Sequence, residues 1–463
     1  MKPLDLSSPS PGAMRQLPLP RRDFLKSLTA WGVFSSGLSL RATVRGSRVA
    51  VVGAGMAGLA AVDRLSRAGV ETVLIEARDR IGGRVWTAAS GVDLGASWIH
   101  GPVGNPLVAL ADAVGARRVP FQWNRYGFYR DGNVLPASEA REIDRTFERL
   151  HRHALREGRR AGDGARLSTA IASFRRELPA SQRELLGHIV NSYWTHEFAA
   201  DPERLSLGWF DEGASLRGTD QLLPSGYAGL FEALLDADEI HLSRPVRTIR
   251  HGSGGVVLET DSGNLAADAA IITVPLGVLK RGAPVFDPPL GGGHALAIQR
   301  LGMGTLNKIY LRFPRVAWPK NLHAFGRIDR SRLWAEWVNF VPISGQPVLM
   351  GFNGGRLAER LERQSDASIL ASAMDALRGT FGRSFPSPIE AYITRWHSDP
   401  WARGSYSSLA PGSTPRDRRN LAAPVHSRLI LAGEAGSVES PATVHGAYRG
   451  GVGAADYLLT TLS

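Results

Sequence analysis

The chain has 463 residues, 43% of them hydrophobic, and a formal net charge of +12. That length supports a large core shared by two or three domains, while no apolar run approaches the ~18–20 residues of a membrane span, so no integral membrane span is expected. Cysteine is absent, which excludes disulfides, thiol nucleophiles, cysteine zinc sites and any cysteine-linked cofactor. The positive charge is almost wholly arginine, since the lysines are only Lys2, Lys26, Lys280, Lys308 and Lys320. The arginines are scattered, with no basic stripe interleaved with aromatics, so no nucleic-acid partner is expected.

In chain order, Pro20-Arg21-Arg22-Asp23-Phe24-Leu25-Lys26 resembles a twin-arginine export signal, followed by a short, moderately apolar stretch from Leu28 to Leu40. Residues 1–42 are read as that signal. The twin-arginine export machinery is then a partner, and the mature protein is expected in the periplasm or outside the cell.

The next stretch organises the chain. Val49, Val51 and Val52 mark a buried strand that breaks into Gly53-Ala54-Gly55-Met56-Ala57-Gly58, the G-x-G-x-x-G spacing. Gly53 permits a tight turn, Gly55 lets the backbone approach a pyrophosphate, and Gly58 lets the following helix pack close to the strand. That helix carries Leu59, Val62 and Leu65 on one face and ends near Gly69, so its first amides point at an anion. A second strand, Val73-Leu74-Ile75, ends in Glu76, an acid suited to a ribose hydroxyl. This is a dinucleotide site, and the motif alone does not separate NAD from FAD.

After Glu76 and Ala77 come Arg78-Asp79-Arg80-Ile81-Gly82-Gly83-Arg84, then Asp93-Leu94-Gly95-Ala96-Ser97-Trp98-Ile99-His100-Gly101. Two glycines before an arginine let the backbone hug a cofactor while the guanidinium takes phosphate oxygens. Residues Gly53 to Gly101 resemble the flavin-containing amine oxidase family, which includes monoamine oxidases, polyamine oxidases and lysine-specific histone demethylases. The resemblance implies FAD and an α/β fold: a Rossmann-like FAD-binding domain of the GR2 type with a mixed-sheet and helical substrate domain.

Residues 102–217 read as amphipathic helices, with Ser138 to Arg156 forming one and Ser181-Gln182-Arg183-Glu184 a capping box opening another. The arginine and histidine cluster at His151 to Arg160 reads as a solvated helix face. A glycine-rich junction from Gly218 to Gly226 leads to Tyr227-Ala228-Gly229-Leu230 and a further helix. Successive strands follow at Ile240-Leu242, Val246-Ile249, Val256-Leu258 and Ala269-Val274. Leu301 to Phe313, Leu333 to Phe340 and Val348 to Phe352 are further strands, and Ser368 to Phe381 is a helix. Leu429-Ile430-Leu431-Ala432-Gly433-Glu434 is a strand ending on a carboxylate, and a closing helix runs from about Thr443 to Leu459. The FAD domain is expected in three pieces (46–101, 218–285, 424–463), with the substrate domain at 102–217 and 286–423.

The resemblance implies roles as well. Tyr406 stands at the aromatic-sandwich position in front of the flavin. Thr443 stands where monoamine oxidases carry the second aromatic, which implies a wider slot that favours secondary or bulky amines. Ser405 replaces their flavin-linking cysteine, so FAD is expected to be non-covalent. Lys308 matches the lysine that holds a water against flavin N5, Trp396 the aromatic beside the isoalloxazine, and His100 a histidine that contacts the polyamine chain in several polyamine oxidases. Val246 is expected against the adenine, Glu434 (after Gly433) at the ribityl chain, and the amides from Val444 onward at the flavin C2 carbonyl. Met56, Ala57, Ala77, Gly83, Gly95, Ala96, Ser97 and Trp98 complete the cofactor set, and no metal site is expected.

The activity so implied is FAD-dependent oxidation of a small-molecule amine, with polyamines ahead of monoamines. Hydride passes to FAD, the imine hydrolyses to an aldehyde and an amine, and O2 reoxidises the cofactor to give hydrogen peroxide. An L-amino-acid oxidase of the same fold is the alternative, requiring an arginine near the flavin. A catalytically silent flavin-binding protein is opposed by the presence of both Lys308 and Tyr406. A histone-demethylase role is opposed by the export signal and by the lack of a partner-binding helical insertion. A polycationic substrate is repelled at long range by the net charge, which Glu197, Asp211 or Glu212 would have to offset locally.

Overall fold

A computed structural model describes residues 46–462, so the twin-arginine stretch lies outside the described residues. The glycine-loop strand Arg48–Val52 is central in a six-stranded sheet. On one side it pairs in parallel with Glu71–Ile75 and then Glu239–His241. On the other it pairs in parallel with Ala269–Ile272, which in turn pairs with Leu429–Leu431. Strands from three separate stretches of chain therefore meet in one sheet, and both faces of it are covered. Val49, Val51, Leu74 and Ile271 point into a core shared with the helices Met56–Ser66 and Val444–Thr461, while Ala50, Val52, Val73 and Ile272 point into a second core. Burial on both sides explains why these strands read as continuous apolar runs. The two helices pack at close quarters: a Cβ on Gly451 would lie 2.0 Å from the Ala57 carbonyl oxygen, so only glycine fits there.

The second large sheet has seven strands, in the order Glu390–Ile393, Leu306–Arg312, Val348–Gly354, Glu336–Asn339, Ala324–Ile328, Tyr126–Arg130, Asn133–Val134. The 102–217 stretch is thus not wholly helical. Tyr126–Arg130 joins the sheet in parallel with Ala324–Ile328, a partner far away in sequence that short-range periodicity does not reveal. The helix at Ala137–Gly158 forms as expected, but its histidines turn inward. His153 is buried with Nε2 on the Ser173 hydroxyl at 2.8 Å, and His151 packs among Phe147, Trp194 and Phe210. The arginines of the cluster, Arg152, Arg156, Arg159 and Arg160, do stay exposed. The next helix but one begins at Ala180 after Pro179, so Ser181 falls within the first turn and not at the cap. Beyond Tyr227 only a 3-10 segment forms, at Ala228–Ala233.

Lys280 shows how a scarce lysine is used structurally. Its ammonium donates to the carbonyls of Ile298, Gln299 and Leu301 at 2.7, 2.8 and 2.8 Å, closing the C-terminal end of the helix Gly292–Arg300 where the helix dipole favours a cation.

His323 ties the seven-stranded sheet to the chain ahead of it: its Nδ1 accepts from the Gln122 N–H at 3.2 Å while the ring meets Phe121 edge-on. Burial first, and the nearby Arg125 charge second, lower its pKa to about 4. The folded value lies below the unfolded one of about 6.5, so the unfolded state binds more protons between them. The stabilisation is complete above pH ~6.5 and is lost as the pH falls toward 4. Unfolding in urea at stepped pH should lose up to about 3 kcal/mol from this site over that interval. His323→Asn, which keeps an acceptor for Gln122, should flatten the decline, and an unchanged slope would show the histidine is not responsible.

Candidate active site

At the carboxyl end of Arg48–Val52 the chain turns through Gly53, whose φ of +105° suits glycine. A Cβ on Gly58 would lie 1.9 Å from the Gly53 oxygen, which is why the helix can start directly against the turn. Gly55 is the N-cap of that helix and makes no side-chain cap; no acid lies in the first turn, where Met56 and Ala57 stand. The Gly55 backbone bridges to Gly82, and Gly83 lies against Gly55. A Cβ on Gly55 would meet nothing nearer than 3.9 Å. An uncapped helix N-terminus with open space over its glycine fits a pyrophosphate.

Glu76 is buried, with Oε2 accepting from the Ala54 N–H at 2.7 Å and Oε1 from the Arg78 N–H at 2.8 Å. Ala77 spans the latter bond. The Arg244 N–H donates to the Glu76 carbonyl, two residues ahead of Val246, which opens the strand Val246–Gly252. The Arg78 guanidinium is engaged bidentately by Asp399 at 2.7 and 3.0 Å, a strut between distant segments.

A cavity at the ends of Ala269–Ile272 and Leu429–Leu431 is lined by Arg84, Thr273, Val274, Pro275, Gly433 and Glu434, the place where doubly wound sheets bind ligands. Gly433 has a φ of +139°, and a Cβ there would meet nothing within 4 Å. Arg84 Nη1 donates to Glu434 at 2.9 Å and to the Ser405 carbonyl at 3.0 Å. Glu434 also accepts from the Ser407 hydroxyl at 2.6 Å and the Ala442 N–H at 3.1 Å. Burial alone would raise the Glu434 pKa, but the Arg84 charge, the Ser407 hydrogen bond and the Arg418 charge outweigh it and hold the pKa below the usual value. The expected ribityl contact is therefore a carboxylate already braced by protein donors. Arg418, wholly buried, continues the chain of charges: it donates to the Ser407 hydroxyl and the Ala435 carbonyl and grips Glu212 with two bonds of 2.6 Å. Glu212 is thereby a structural partner and does not offset substrate charge.

Lys308 sits on Leu306–Arg312, fully enclosed. Its ammonium donates to the Ser97 hydroxyl at 2.6 Å, to the Asp93 carbonyl at 3.3 Å and to the Gly95 carbonyl. The Gly95–Ala96–Ser97 turn is forced close: a Cβ on Gly95 would lie 1.8 Å from the Arg84 oxygen, and the Ala96 N–H bonds that same oxygen. Burial lowers the Lys308 pKa, with the Asp93 charge opposing. Burial raises that of Asp93, against hydrogen bonds from Thr87 and the Tyr227 N–H and against the Lys308 charge. Lys308 Nζ also lies 5.6 Å from the Trp98 ring centre, and the Trp98 indole N–H is buried without a partner. Trp396 is buried, its indole N–H on the Leu94 carbonyl at 3.3 Å. Ser405 binds its hydroxyl to the Leu306 backbone. The donor set, the uncapped helix and the open glycines together fit a non-covalent FAD.

On the substrate side, Tyr406 donates to the His196 carbonyl at 2.7 Å. His196 opens the short helix His196–Phe198, directly after a π-helical turn at Asn191–Thr195, a distortion common at functional sites. The same short helix carries Glu197. Glu197 and His100 keep accessible surface and lie within electrostatic reach of one another and of Asp220. Burial, then Asp220 and Glu336, raise the Glu197 pKa, with His100 opposing. Thr443 is the N-cap of the closing helix, its hydroxyl accepting from the Gly446 N–H at 2.9 Å and donating to the Ser440 carbonyl at 2.8 Å. Val444 begins that helix. The polar partners that sequence reading did not find are the Asp93 and Asp220 carboxylates and Arg418. Asp93 opens the motif that runs to Gly101, but no local pattern marks it or the other two as buried. Among the described residues no cluster of ligands fits a metal ion.

Because Arg418 compensates two buried carboxylates, Arg418→Met should lower unfolding stability by about 3–5 kcal/mol in chemical denaturation, the usual effect of stranding a buried charge. Adding Glu212→Gln should restore part of the loss; a single variant within about 1 kcal/mol of wild type would show the network is energetically idle.

A family model for flavin containing amine oxidoreductases matches residues 56–459. A relative from Oryza sativa subsp. japonica, lysine-specific histone demethylase 1 homolog 2, is 36% identical over 89% of this chain and 57% of its own length. Polyamine oxidase 2 of Arabidopsis thaliana is 33% identical over 91% of this chain and 90% of its own. The chain thus spans little more than half the length of the demethylase relatives and most of the polyamine oxidase. A solved structure of a putrescine oxidase double mutant, redesigned in cofactor binding, shares the fold with a TM-score of 0.72 at 21% identity, covering 89% of this chain and 99% of that one. A match that runs from the helix after Gly55 through the buried lysine to the closing helix leaves one conclusion: the chain belongs to the flavin-containing amine oxidoreductase family.

Proposed function

We propose that the protein is an FAD-dependent amine oxidase that oxidises polyamines with O2 as acceptor. The observation that carries this reading is that the Glu197 carboxylate lies within electrostatic reach of both His100 and Tyr406. A carboxylate beside an imidazole and an aromatic ring suits a second cationic nitrogen of the substrate, and it offsets locally the repulsion of a net positive surface. FAD, when bound, supplies the two-electron acceptor.

The chain's own groups supply binding and proton management. An alkylamine with a pKa of about 10.4 is neutral roughly once in 2,500 molecules at pH 7, a cost of about 4.6 kcal/mol. An enclosed slot lowers that cost by disfavouring the charged form. Tyr406, kept protonated because burial raises its pKa strongly, presents a neutral ring and not a phenolate to the amine. Lys308, lowered by burial, is suited to hold and exchange a proton at Nζ through the Ser97 hydroxyl. The similarity to proteins named polyamine oxidases over most of their length supports the same reading. Export through the twin-arginine machinery to the periplasm or beyond is part of the proposal, supported by Arg21-Arg22 with Phe24-Leu25-Lys26.

Anaerobic titration of the purified flavoprotein with spermidine, spermine, monoamines and L-amino acids should bleach the oxidised-flavin band with polyamines. Bleaching by amino acids alone would move the assignment to an L-amino-acid oxidase. Glu197→Gln should raise KM for polyamines about tenfold while leaving kcat within a few-fold, the size of one lost charge-assisted hydrogen bond. An unchanged KM would remove Glu197 from substrate binding.

A further inference from the structure

Asp220 lies one residue before the short strand Gln221–Leu222, which pairs with both Trp98–Ile99 and Val119–Pro120. That pairing sets its carboxylate under the His100 ring. Asp220 Oδ2 meets His100 Nδ1 at 3.2 Å, Oδ1 accepts the Gly101 N–H at 3.0 Å, and the Trp123 indole donates to the same carboxylate. His100 in turn stacks on Trp98, ring centres 6.5 Å apart and planes 18° apart. The ring is held by one face and one nitrogen, and Glu197 lies within electrostatic reach of it.

We propose that Asp220 is a positioning residue that fixes the His100 tautomer, keeping the proton on Nδ1 so that Nε2 offers a lone pair to a cationic nitrogen of the substrate. An ionised carboxylate has only acceptors, so the nitrogen facing it carries hydrogen, and the neutral ring must then be an acceptor at Nε2. This inference rests on the amine-oxidase reading and deepens it by assigning the substrate contact to one ring nitrogen.

The charges facing His100 are Asp220 and Glu197, with His445 of the closing helix also within electrostatic reach. Burial would lower the His100 pKa, but the Asp220 hydrogen bond and charge, and then Glu197, outweigh it and raise it. Below that raised value Nε2 is itself protonated and repels an ammonium. Polyamine KM should therefore fall as the pH rises through the titration of His100.

Asp220→Asn tests the assignment because the amide cannot offer two oxygens. If its oxygen stays on the Gly101 N–H, its NH2 faces Nδ1 and turns that nitrogen into the acceptor, moving the ring proton to Nε2. Nitrogen-15 NMR of histidine-labelled holoenzyme at about pH 9, well above an ordinary histidine pKa, assigned with His100→Ala, should show Nδ1 protonated in the wild type and Nε2 protonated in Asp220→Asn. The variant should raise polyamine KM about tenfold or more, with kcat within about threefold. In a His100→Ala background the same substitution should change KM no further, which a merely structural role would not predict.

A wild-type ring protonated on Nε2 overturns the proposal even if the variant fails to fold, and so does a KM effect that persists without His100. The NMR readout needs no turnover, so absence of amine oxidation would sink the functional reading while leaving the tautomer assignment standing.

Discussion

The structure depends on one buried run of alternating charges, Arg84–Glu434–Ser407–Arg418–Glu212. Arg84 comes from the segment after the glycine loop, Glu212 from the helical stretch, and Glu434 from the strand that completes the parallel sheet. A charge removed from water is tolerated only when paired and hydrogen-bonded, so each of these segments is held in place by the others. The run ends at the wall of the cavity beneath Gly433, which makes the geometry of the cofactor site a consequence of contacts between remote parts of the chain.

The same logic governs the substrate side. Lys308 is placed by a strand of the seven-stranded sheet, but its ammonium is received by carbonyls and a hydroxyl from the Asp93–Ser97 turn beside the glycine loop. Tyr406 lies just before the Ser407–Ser408 strand and is anchored to the short helix that bears Glu197. Lys308, Tyr406 and Glu197 are therefore placed by contacts among the seven-stranded sheet, the turn beside the glycine loop and the helical stretch, and none of these elements alone holds them. Enclosure is what gives the polar groups their unusual proton affinities, because burial is the largest cause for Lys308, Asp93, Glu197 and Tyr406 alike.

Much of this was legible along the chain. Gly53, Gly55 and Gly58 with Glu76 announce the loop because backbone approach and a tight turn restrict which residues can stand there, and the closing helix and buried strands follow from apolar periodicity. Lys308 stood out as a lysine in an arginine-rich chain on a strand matching a family motif, and the fold buries it. The histidines at His151 and His153 looked like a wet face because their neighbours are arginines, but the inward side of that helix was decided by Trp194 and Phe210 arriving from elsewhere. Nothing local announced that Asp399, more than 300 positions away, holds the Arg78 guanidinium.

The dinucleotide loop, the family and the cofactor class could be read from the order of amino acids alone, since these rest on constraints spanning a few consecutive positions. It took the folded chain to establish that Glu212 braces Arg418 while Glu197 lies near His100, that Tyr126–Arg130 is a strand, and that Asp220 sits against His100. The difference is one of range: steric and periodic rules act between near neighbours and leave a pattern, whereas a hydrogen bond between residues 120 or 206 positions apart leaves none until the fold closes.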